Sequence, residues 1–551
     1  MSGASSTQFV RLPSDTNQAL GIGKYAIDFI HGGAGARGEP DVTVLDRTNL
    51  FHTDAVLCGL SAIALGTNAP NILRGEALGY ANPPGDLGKP LGICKHHGAT
   101  LFGSLVGGRP VRVKSEKAIV ANSNAVREWD SNGTNFGYNK ELGHTAGEFG
   151  HNDFYPVCIA GAQMLGCDGS TALRAMICLD EVRGRLAEVF SLKTYKIDHV
   201  LHGAIASAAV FGAMVGATAE QIESAIGMVV AHYVPFRAIR AGKQLSDSKG
   251  ASAAISTEAA ILSVKRSMAG FLGPRDIFRN PEAVFRIFEG PGQMFQKVGA
   301  TKANTEKKDA SPFELVLARA GSDFAVMGMH FKLGLYEHQS AGALQAVLTL
   351  LANSPTLLED TTGAKIKSIN IVAYEPAFGI IGDPAKRNPT TRQSADHSMV
   401  YIVATLLRKA LEQRRVGWKE LMLEPKDYGP EAIGNRLTRQ LMDKIQFTHG
   451  GREYDEKYPD GIPTSVVITG ADGKTHDSGL VMYPGGHARN AMGKTPVDLH
   501  DVLRHKFKLL GGLAFDNPAP IIARYEKLEA KSPQEVQAIN DYELVVRGKF
   551  D

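Results

Sequence analysis

The most unusual group of polar side chains lies at 127–153, where two histidines, several acids, amides and glycines occur close together. Asp130, Thr134 and His144 are its candidate functional residues. A solvated loop with Asx turns would have a similar composition. Trp129 and the predicted helices on either side favour a buried position instead. Long glycine-rich loops held within a core commonly carry binding or catalytic sites.

Two further histidines, His199 and His202, precede a predicted helix of small residues that begins near Gly203. Either imidazole could act as a general base, or could donate a hydrogen bond to an anion at the helix start. A structural role is the alternative for each of them. We therefore treat both as candidate catalytic residues.

Lys249 directly precedes a second helix of small residues, and Arg237, Arg240 and Lys243 lie a few residues upstream. Cations near a helix N-terminus oppose the helix dipole, which is tolerable when an anionic ligand lies between them. Ordinary surface charge is the alternative for the two arginines. The pattern favours an anion-binding function for Lys249 and Arg240.

A fourth group of polar residues lies where the chain is predicted to cross between two domains, and such clefts commonly bind ligands. Its members are His330, Lys332, Glu337, His338, His487 and Arg489. Of these, the candidates for binding an anionic substrate are Lys332, His338, His487 and Arg489.

The composition excludes several functional classes. Lysine and arginine number 60 against 57 acidic residues, and the resulting charge of +3 offers no attraction to nucleic acid or an anionic membrane. With 43% hydrophobic and 21% charged residues, the chain has a globular rather than a disordered composition. Its 551 residues exceed the ~250–300 at which one core stops growing, so at least two domains are expected.

Metal and cofactor sites are not predicted. The five cysteines form no CxxC pair, which argues against a disulfide framework and against a cysteine-bound iron–sulfur cluster. His96 with His97, and His144 with His151, lack a third ligand at a recognisable spacing. The sequence contains no P-loop, zinc-protease or dinucleotide-binding motif.

Neither a signal peptide nor a membrane-spanning segment is predicted. The N-terminus lacks an apolar signal segment, and no apolar stretch reaches the ~20 residues that span a bilayer. We expect a soluble cytoplasmic protein. A mitochondrial location would require the N-terminal serines and threonines to act as an atypical leader.

Hydrophobic periodicity predicts a mainly α protein. Apolar residues recur at three- and four-residue spacings through much of 15–328, which predicts a helical domain. Thr218 and Gln221 have capping-box form and predict a helix start, and Ser532-Pro-Gln-Glu535 predicts a second, late one. From 329 to 490 helices alternate with strands, which predicts a smaller α+β domain. Residues 491–545 are predicted to return to the helical domain.

The α+β region contains two specific strand predictions. One is a strand at 365–374, and the other is a hairpin with strands at 464–470 and 478–483. An Asp-Gly pair between the two hairpin strands supplies a tight turn.

These residues, taken in order, resemble the MmgE/PrpD family over about residues 20–545. The matching segments are Asp130-Ser-Asn-Gly-Thr134, His144, Asp-His-Val at 198–200, Lys249 before Gly-Ala-Ser-Ala-Ala, His-Phe-Lys at 330–332 with His338, and Tyr-Pro-Gly-Gly-His-Ala-Arg at 483–489. The resemblance implies a large all-helical domain built from both chain ends, a smaller α+β lid, a homodimer and no cofactor.

The resemblance also implies roles for individual residues. It places Asp130, Thr134 and His144 in the pocket, and either His199 or His202 at the family histidine that precedes the small-residue helix. Lys249 and Lys332 match the two family lysines, and His338 matches the histidine that follows the second lysine. The chain departs from the family pattern at two places. At 144–151 the family usually has His-Pro-Ser, and at 383–392 a lid tyrosine of the cis-aconitate decarboxylases in this family has no clear counterpart.

The implied reaction is cofactor-independent dehydration of 2-methylcitrate, or of a related alkylcitrate, to 2-methyl-cis-aconitate. His144 or the His199/His202 site would act as base or acid and would be oriented by Asp130, while Lys249 and Lys332 stabilise the anion. Decarboxylation of cis-aconitate and epimerisation or isomerisation of a dicarboxylate are alternatives within the family. A catalytically inert helical scaffold is an alternative from another class.

Overall fold

The computed structural model describes residues 8–81, 89–240, 244–287 and 309–551, and over these ranges the chain is mainly helical. The helices are α1 (Gln18–His31), α2 (Val42–Ala64), α3 (Asn68–Leu78), α4 (Ser115–Arg127), α5 (Tyr155–Leu165), α6 (Gly169–Val189), α7 (Val200–Val215), α8 (Ala219–His232), α9 (Ser248–Met268), α10 (Val284–Ile287), α11 (Ala341–Asn353), α12 (Arg392–Ala395), α13 (Met399–Gln413), α14 (Pro430–Ile433), α15 (Arg436–Asp443), α16 (Arg452–Asp455), α17 (Leu499–Ala514), α18 (Ala519–Tyr525) and α19 (Pro533–Gln537). The strands are β1 (Phe9–Leu12), β2 (Glu39–Pro40), β3 (Ala99–Val106), β4 (Arg109–Val113), β5 (Thr134–Phe136), β6 (Phe149–His151), β7 (Leu315–Ala318), β8 (Ala320–Gly321), β9 (Ile366–Ala373), β10 (Ile445–His449), β11 (Thr464–Gly470) and β12 (Thr475–Asp477).

Helices rich in small residues pack at the centre of the core. Helix α7 contacts α6, α8 and α9, and α4 contacts α2 and α9. A Cβ on Gly203, in the first turn of α7, would lie 1.9 Å from Cζ of Phe154. The close approach of this ring to the helix backbone therefore requires glycine at that position.

Both predicted helix starts are confirmed. At the start of α8, Gln221 N donates to Thr218 Oγ1 at 3.2 Å, and Thr218 N donates to Gln221 Oε1 at 2.9 Å. Ser532 and Glu535 form the same reciprocal pair at α19. Each pair satisfies two N–H groups that a helix end would otherwise leave unpaired.

The N-terminal half is not uniformly helical. Strands β3 and β4 form an antiparallel hairpin that hydrophobic periodicity did not predict. Its two-residue turn is Gly107-Gly108, whose φ angles of 57° and 76° are those that tight hairpin turns require. The Gly-Gly pair was therefore the sequence signal for this hairpin.

The main sheet has four strands in the order β10-β9-β11-β12. The predicted strand at 365–374 is confirmed as β9, which pairs parallel with β10 and antiparallel with β11. The Asp-Gly turn is also confirmed, but the strand that follows it is β12, which ends before residue 478. Only Val481 of the predicted second strand pairs with β11, through a bridge to Thr464.

The C-terminal part of the chain packs back onto the N-terminal helices. Helix α17 contacts α2, and Lys506 of α17 lies 2.7 Å from the buried carboxylate of Asp54 in α2. The division of the chain at 328 and 490 stays a prediction, and so does the homodimer.

No single helix among the described residues has both the length and the apolar character needed to cross a membrane. The pair α2 and α3, bent by 89° at its break, meets that requirement only when its two helices are counted together.

Candidate functional site

A short strand pair supplies one wall of a buried cavity. On β5 and β6, Thr134 lies opposite His151, and Phe136 lies opposite Phe149. Because side chains alternate across a strand, these four residues project to the same face. All four line the cavity.

Asp130 is a charge centre behind this wall. It adopts a φ of 52° just after α4, a left-handed conformation that is uncommon for residues other than glycine. Arg127 Nη1 lies 2.5 Å from Asp130 Oδ1, and Lys332 Nζ donates to the same oxygen. Lys249 Nζ lies 3.7 Å from Oδ2. Three cations thus converge on one buried carboxylate.

A second carboxylate extends this network. Lys249 Nζ donates to Asp396 Oδ1 at 2.7 Å, and His397 Nδ1 lies 2.7 Å from the same oxygen. His397 Nδ1 also lies 3.2 Å from Asp130 Oδ2. The network therefore joins α9 to the segment that follows α12.

The cations determine the protonation of these carboxyl groups. Burial alone would raise the pKa of Asp130, but the charges of Arg127 and Lys332 hold it well below its ordinary value. Lys249 lowers the pKa of Asp396 in the same way against the effect of burial. Both carboxylates are therefore ionised at neutral pH.

A metal ion does not fit this network, although Asp130, Asp396 and His397 present ligand atoms within 4.8 Å of one another. The carboxylate oxygens of Asp130 already contact Arg127, Lys249 and Lys332. A divalent cation would be repelled by these charges. The donor set is suited to internal ion pairs rather than to metal binding.

Two histidines in the cavity wall are neutral at neutral pH. Burial lowers the pKa of both His151 and His199 well below 6.5, and the Arg127 charge acts on His151 in the same direction. Their ring centroids lie 5.2 Å apart. Among the described residues, neither ring nitrogen of His199 has a hydrogen-bond partner.

The two rings differ in which nitrogen remains free. Arg127 Nη2 lies 3.2 Å from His151 Nε2 and can only donate, so the proton of a neutral His151 lies on Nδ1. Asp198 Oδ1 lies 3.5 Å from His199 Nδ1, which favours a proton there. His199 Nε2 is then an unprotonated nitrogen within the cavity.

Three further cationic side chains, Arg237, Arg240 and Lys386, form another wall of the cavity. Arg240 Nε donates to Asp198 Oδ2 at 2.5 Å. Burial lowers the pKa of Lys386 to about 8, so its ammonium form predominates at neutral pH. Glu337 is the carboxylate on this wall.

The complete cavity has a volume of about 40 Å³, enough for two or three water molecules. Its lining residues are Arg127, Thr134, Phe136, Phe149, His151, His199, Arg237, Arg240, Glu337, Gln339, Ile380, Ile381, Lys386 and His397. Four of them are cationic and one is acidic, which favours a ligand that carries several negative charges.

The structure brings together six of the residues selected from the sequence. Thr134, His199 and Arg240 line the cavity. Asp130, Lys249 and Lys332 lie behind it in the charge network. Their catalytic and binding roles stay predictions.

The other five selected residues belong neither to the cavity lining nor to the charge network behind it, and His144 and His202 are two of them. His144 lies in the connection between β5 and β6, and its Nδ1 lies 3.2 Å from Glu188 Oε2. His202 Nε2 donates to the Phe190 carbonyl at 3.0 Å, and burial lowers the pKa of His202 to about 4. Of the histidines at 144 and 151 it is His151 that lines this cavity, and of the two before α7 it is His199. The roles inferred for His144, His199 and His202 stay predictions.

The other three, His338, His487 and Arg489, lie beyond Phe136. The His330 ring stacks between His338, at a centroid distance of 5.0 Å, and His487, at 4.1 Å. Arg489 is partly exposed and pairs with Asp460 at 3.2 Å. These side chains shape the region behind the wall rather than the wall itself.

Several lining residues were missed as site residues, and their sequence signals differ. Arg127 and His151 lie within the polar segment at 127–153. His397 belongs to an Asp-His dipeptide that repeats the one at 198–199. Lys386 has no comparable signal, because its position depends on how the segment after β9 folds over the cavity.

The described residues form a mainly helical chain with a cavity lined by four cationic side chains and one acidic one. Its N-terminal half, residues 39–296, matches the MmgE/PrpD N-terminal domain, and residues 336–519 match the MmgE/PrpD C-terminal domain. The chain therefore belongs to the MmgE/PrpD family.

Three similar proteins bear the names of dehydratases. The chain is 24% identical over 332 residues to 2-methylcitrate dehydratase of Escherichia coli K12, covering 59% of this chain and 61% of the relative. It is 26% identical over 342 residues to the mitochondrial 2-methylcitrate dehydratase of Yarrowia lipolytica, covering 60% and 58%. It is 25% identical over 338 residues to an alkylcitrate dehydratase of a fungal species, covering 60% and 59%. The matches span about three fifths of the length of these relatives.

Proposed function

We propose that this chain catalyses the dehydration of a citrate-type tricarboxylate, 2-methylcitrate or a related alkylcitrate, to the corresponding aconitate. The observation that carries the proposal is the neutral, unpartnered imidazole of His199 in a cavity lined by four cations. The names of the relatives support the choice of reaction and substrate class.

His199 is the base in this proposal. Dehydration begins with removal of a proton α to a carboxylate, and the neutral imidazole of His199 is available to accept that proton at neutral pH. Asp198 orients the ring from the Nδ1 side at 3.5 Å and leaves Nε2 free to accept the proton. His151 presents its Nδ1–H to the substrate and stabilises negative charge as it develops.

The cations of the cavity bind the substrate carboxylates. Arg127, Arg237 and Arg240 supply planar guanidinium groups that match carboxylate geometry, and Lys386 adds an ammonium group. Asp130 is a positioning residue, because it holds Arg127 and Lys332 in place and does not itself line the cavity.

Substrate admission requires a movement of the wall. A tricarboxylate needs more room than about 40 Å³. Ile380, Ile381 and Lys386 come from two short helical turns, Ala377–Ile381 and Pro384–Lys386, whereas Thr134, Phe136, Phe149 and His151 are held by the paired strands β5 and β6. The 380–386 segment therefore moves outward to admit the ligand.

The test is turnover of 2-methylcitrate, citrate and cis-aconitate by EDTA-treated protein, measured by product absorbance and by mass. Formation of 2-methyl-cis-aconitate without added metal supports the proposal. Release of carbon dioxide from cis-aconitate would establish the decarboxylase instead. Deuterium exchange from heavy water with inversion, without loss of water, would establish an epimerase. Failure to bind any polycarboxylate would favour an inert scaffold.

A further inference from the structure

Glu337 is the one acidic side chain among the described residues that line the cavity. Its Oε2 accepts the N–H of Gln339 at 2.8 Å, and its own N–H donates to the Asp396 carbonyl at 3.0 Å. Both contacts fix the residue at the start of the short helix His338–Ser340. The carboxyl group is therefore held in the wall of a site that is otherwise suited to anions.

The groups around Glu337 come from several elements. Those with a charge or a titratable hydroxyl are Asp130, Lys332, Lys386, Tyr374 and Tyr458. Burial and the Asp130 charge raise the pKa of Glu337 to about 7, against the opposing effect of Lys332 and Lys386. A polyanionic ligand adds negative charge beside the carboxyl group and favours its protonated form further.

Dehydration needs an acid as well as a base, since the hydroxyl group leaves as water only if it gains a proton. The cavity histidines are neutral, because burial lowers the pKa of His151 and His199 well below 6.5 and that of His397 to about 3. Lys249 and Lys332 are engaged by Asp396 and Asp130 behind the wall.

We infer that Glu337 is the general acid that protonates the departing hydroxyl group, a role that rests on the proposed dehydratase function. The base takes the α-proton, the electron pair of the C–H bond forms the carbon–carbon double bond, and the C–O bond breaks. The hydroxyl leaves with the Glu337 proton as water. His199 then holds one proton and Glu337 has lost one, and exchange with solvent restores both.

Lys386 is the competing proton donor, because it lines the same wall as an ammonium group. Two observations favour Glu337. Negative charge on the substrate keeps the Glu337 carboxyl group protonated until the hydroxyl departs, and Oε2 of this group already accepts the N–H of Gln339. Lys386 is better suited to bind a substrate carboxylate, since its charge is retained throughout the reaction.

The first test compares Glu337→Gln with Glu337→Asp and with the matched control Glu359→Gln, a change at an exposed surface pair with Lys365. Glutamine can still accept the Gln339 N–H, so the fold is expected to persist, as thermal unfolding will check. We expect wild-type kcat to fall above a pH of about 7 as the acid loses its proton. Glu337→Gln should lower kcat by about 100-fold or more and abolish this decline. Glu337→Asp should keep part of the wild-type kcat and part of its alkaline decline.

Three outcomes would overturn the inference. The first is a Glu337→Gln enzyme that keeps kcat within about threefold of the wild type. The second is an unchanged alkaline decline of kcat in that variant. The third is loss of the decline in Lys386→Met with its retention in Glu337→Gln, which would assign the proton to Lys386.

A second measurement separates this inference from the proposed function. Citrate binding is measured by calorimetry at about pH 7.5 in buffers of different ionisation enthalpy, which gives the number of protons taken up. We expect the wild type to take up a substantial fraction of one proton more than Glu337→Gln. Equal uptake would contradict the protonated carboxyl even if turnover is observed. Absence of turnover in a wild type that takes up the additional proton would refute the dehydratase and leave the protonated Glu337 carboxyl in place.

Discussion

Two groups of cations at the cavity differ in whether carboxylates of the protein neutralise them. In the charge network behind the cavity lining, here called the inner network, Lys249 and Lys332 each contact a buried carboxylate, and Arg127 is paired with Asp130. The outer wall is the part of the cavity lining that contains Arg237, Arg240 and Lys386. Within the described residues, Nη1 of Arg237 has no hydrogen-bond partner and Lys386 forms no salt bridge. The charges of Lys249, Lys332, Arg127 and Arg240 are balanced by carboxylates of the protein. Among the described residues, Arg237 and Lys386 have no such ion pair and are the cations most available to a ligand. The inner network thus fixes the geometry, and the outer wall provides the binding charge.

Asp130→Asn should have the largest effect on stability. The change leaves three buried cations without their shared carboxylate, and breaking a buried pair typically costs about 3–5 kcal/mol. The free energy of unfolding in urea measures this loss. Asp460→Asn, at the partly exposed pair with Arg489, is the control and should change it by less than about 1 kcal/mol. Equal effects of the two changes would show that the inner network does not support the fold.

Arg237→Gln and Lys386→Met should weaken substrate binding rather than stability. A hydrogen bond to a charged group contributes about 1.5–3 kcal/mol, which corresponds to a rise of about 10- to 100-fold in KM, or in the Kd for citrate. Lys365→Met, at an exposed lysine, is the control. Unchanged KM and Kd in both cavity variants would remove the outer wall from the binding site.

Acid should destabilise the protein below pH 6.5. Burial lowers the pKa of His52 and His202 to about 4, and that of His338 and His397 to about 3. Between those values and 6.5 only the unfolded chain binds these protons, so stability falls as pH falls. The expected slope is about 1 kcal/mol per pH unit for each histidine.

Urea unfolding at a series of pH values gives this slope. His202→Gln should reduce this slope by the contribution of one histidine, about 1 kcal/mol per pH unit, whereas a change at the exposed His500, His500→Gln, should leave it unaltered. A free energy of unfolding that is constant between pH 6.5 and 5 would mean that the buried histidines are already protonated in the folded protein.

Arg489→Gln should have the smallest effect. The side chain was selected from the sequence for substrate binding, but it lies outside the cavity lining beside Tyr138 and Asp460. We expect KM within about twofold of the wild type and a change in unfolding free energy within about 0.5 kcal/mol. A large rise in KM would extend the binding site beyond Phe136.

Local features of this fold could be predicted from short segments of the sequence. The capping pairs Thr218–Gln221 and Ser532–Glu535 and the strand β9 depend on short-range patterns, and each was confirmed. The hairpin β3–β4 was missed because its signal, Gly107-Gly108, lies within a region of mostly helical periodicity.

The candidate site was only partly accessible from the sequence. Asp130 and Thr134 were found because their segment is rich in polar residues. The choice between His144 and His151 was not accessible, since it depends on the register of β5 against β6, which places His151 opposite Thr134. Lys386 enters the site only through tertiary folding of the segment after β9.

The most direct test of the account compares His199→Gln with His202→Gln, two residues that lie three positions apart. His199 lines the cavity with an unpartnered Nε2, whereas His202 donates to the Phe190 carbonyl, a bond that glutamine can replace. The account predicts that His199→Gln lowers kcat for 2-methylcitrate dehydration by about 10²- to 10⁴-fold, and that His202→Gln retains near wild-type kcat. Equal activity of the two variants, or a greater loss in His202→Gln, would contradict the assignment of this cavity as the catalytic site.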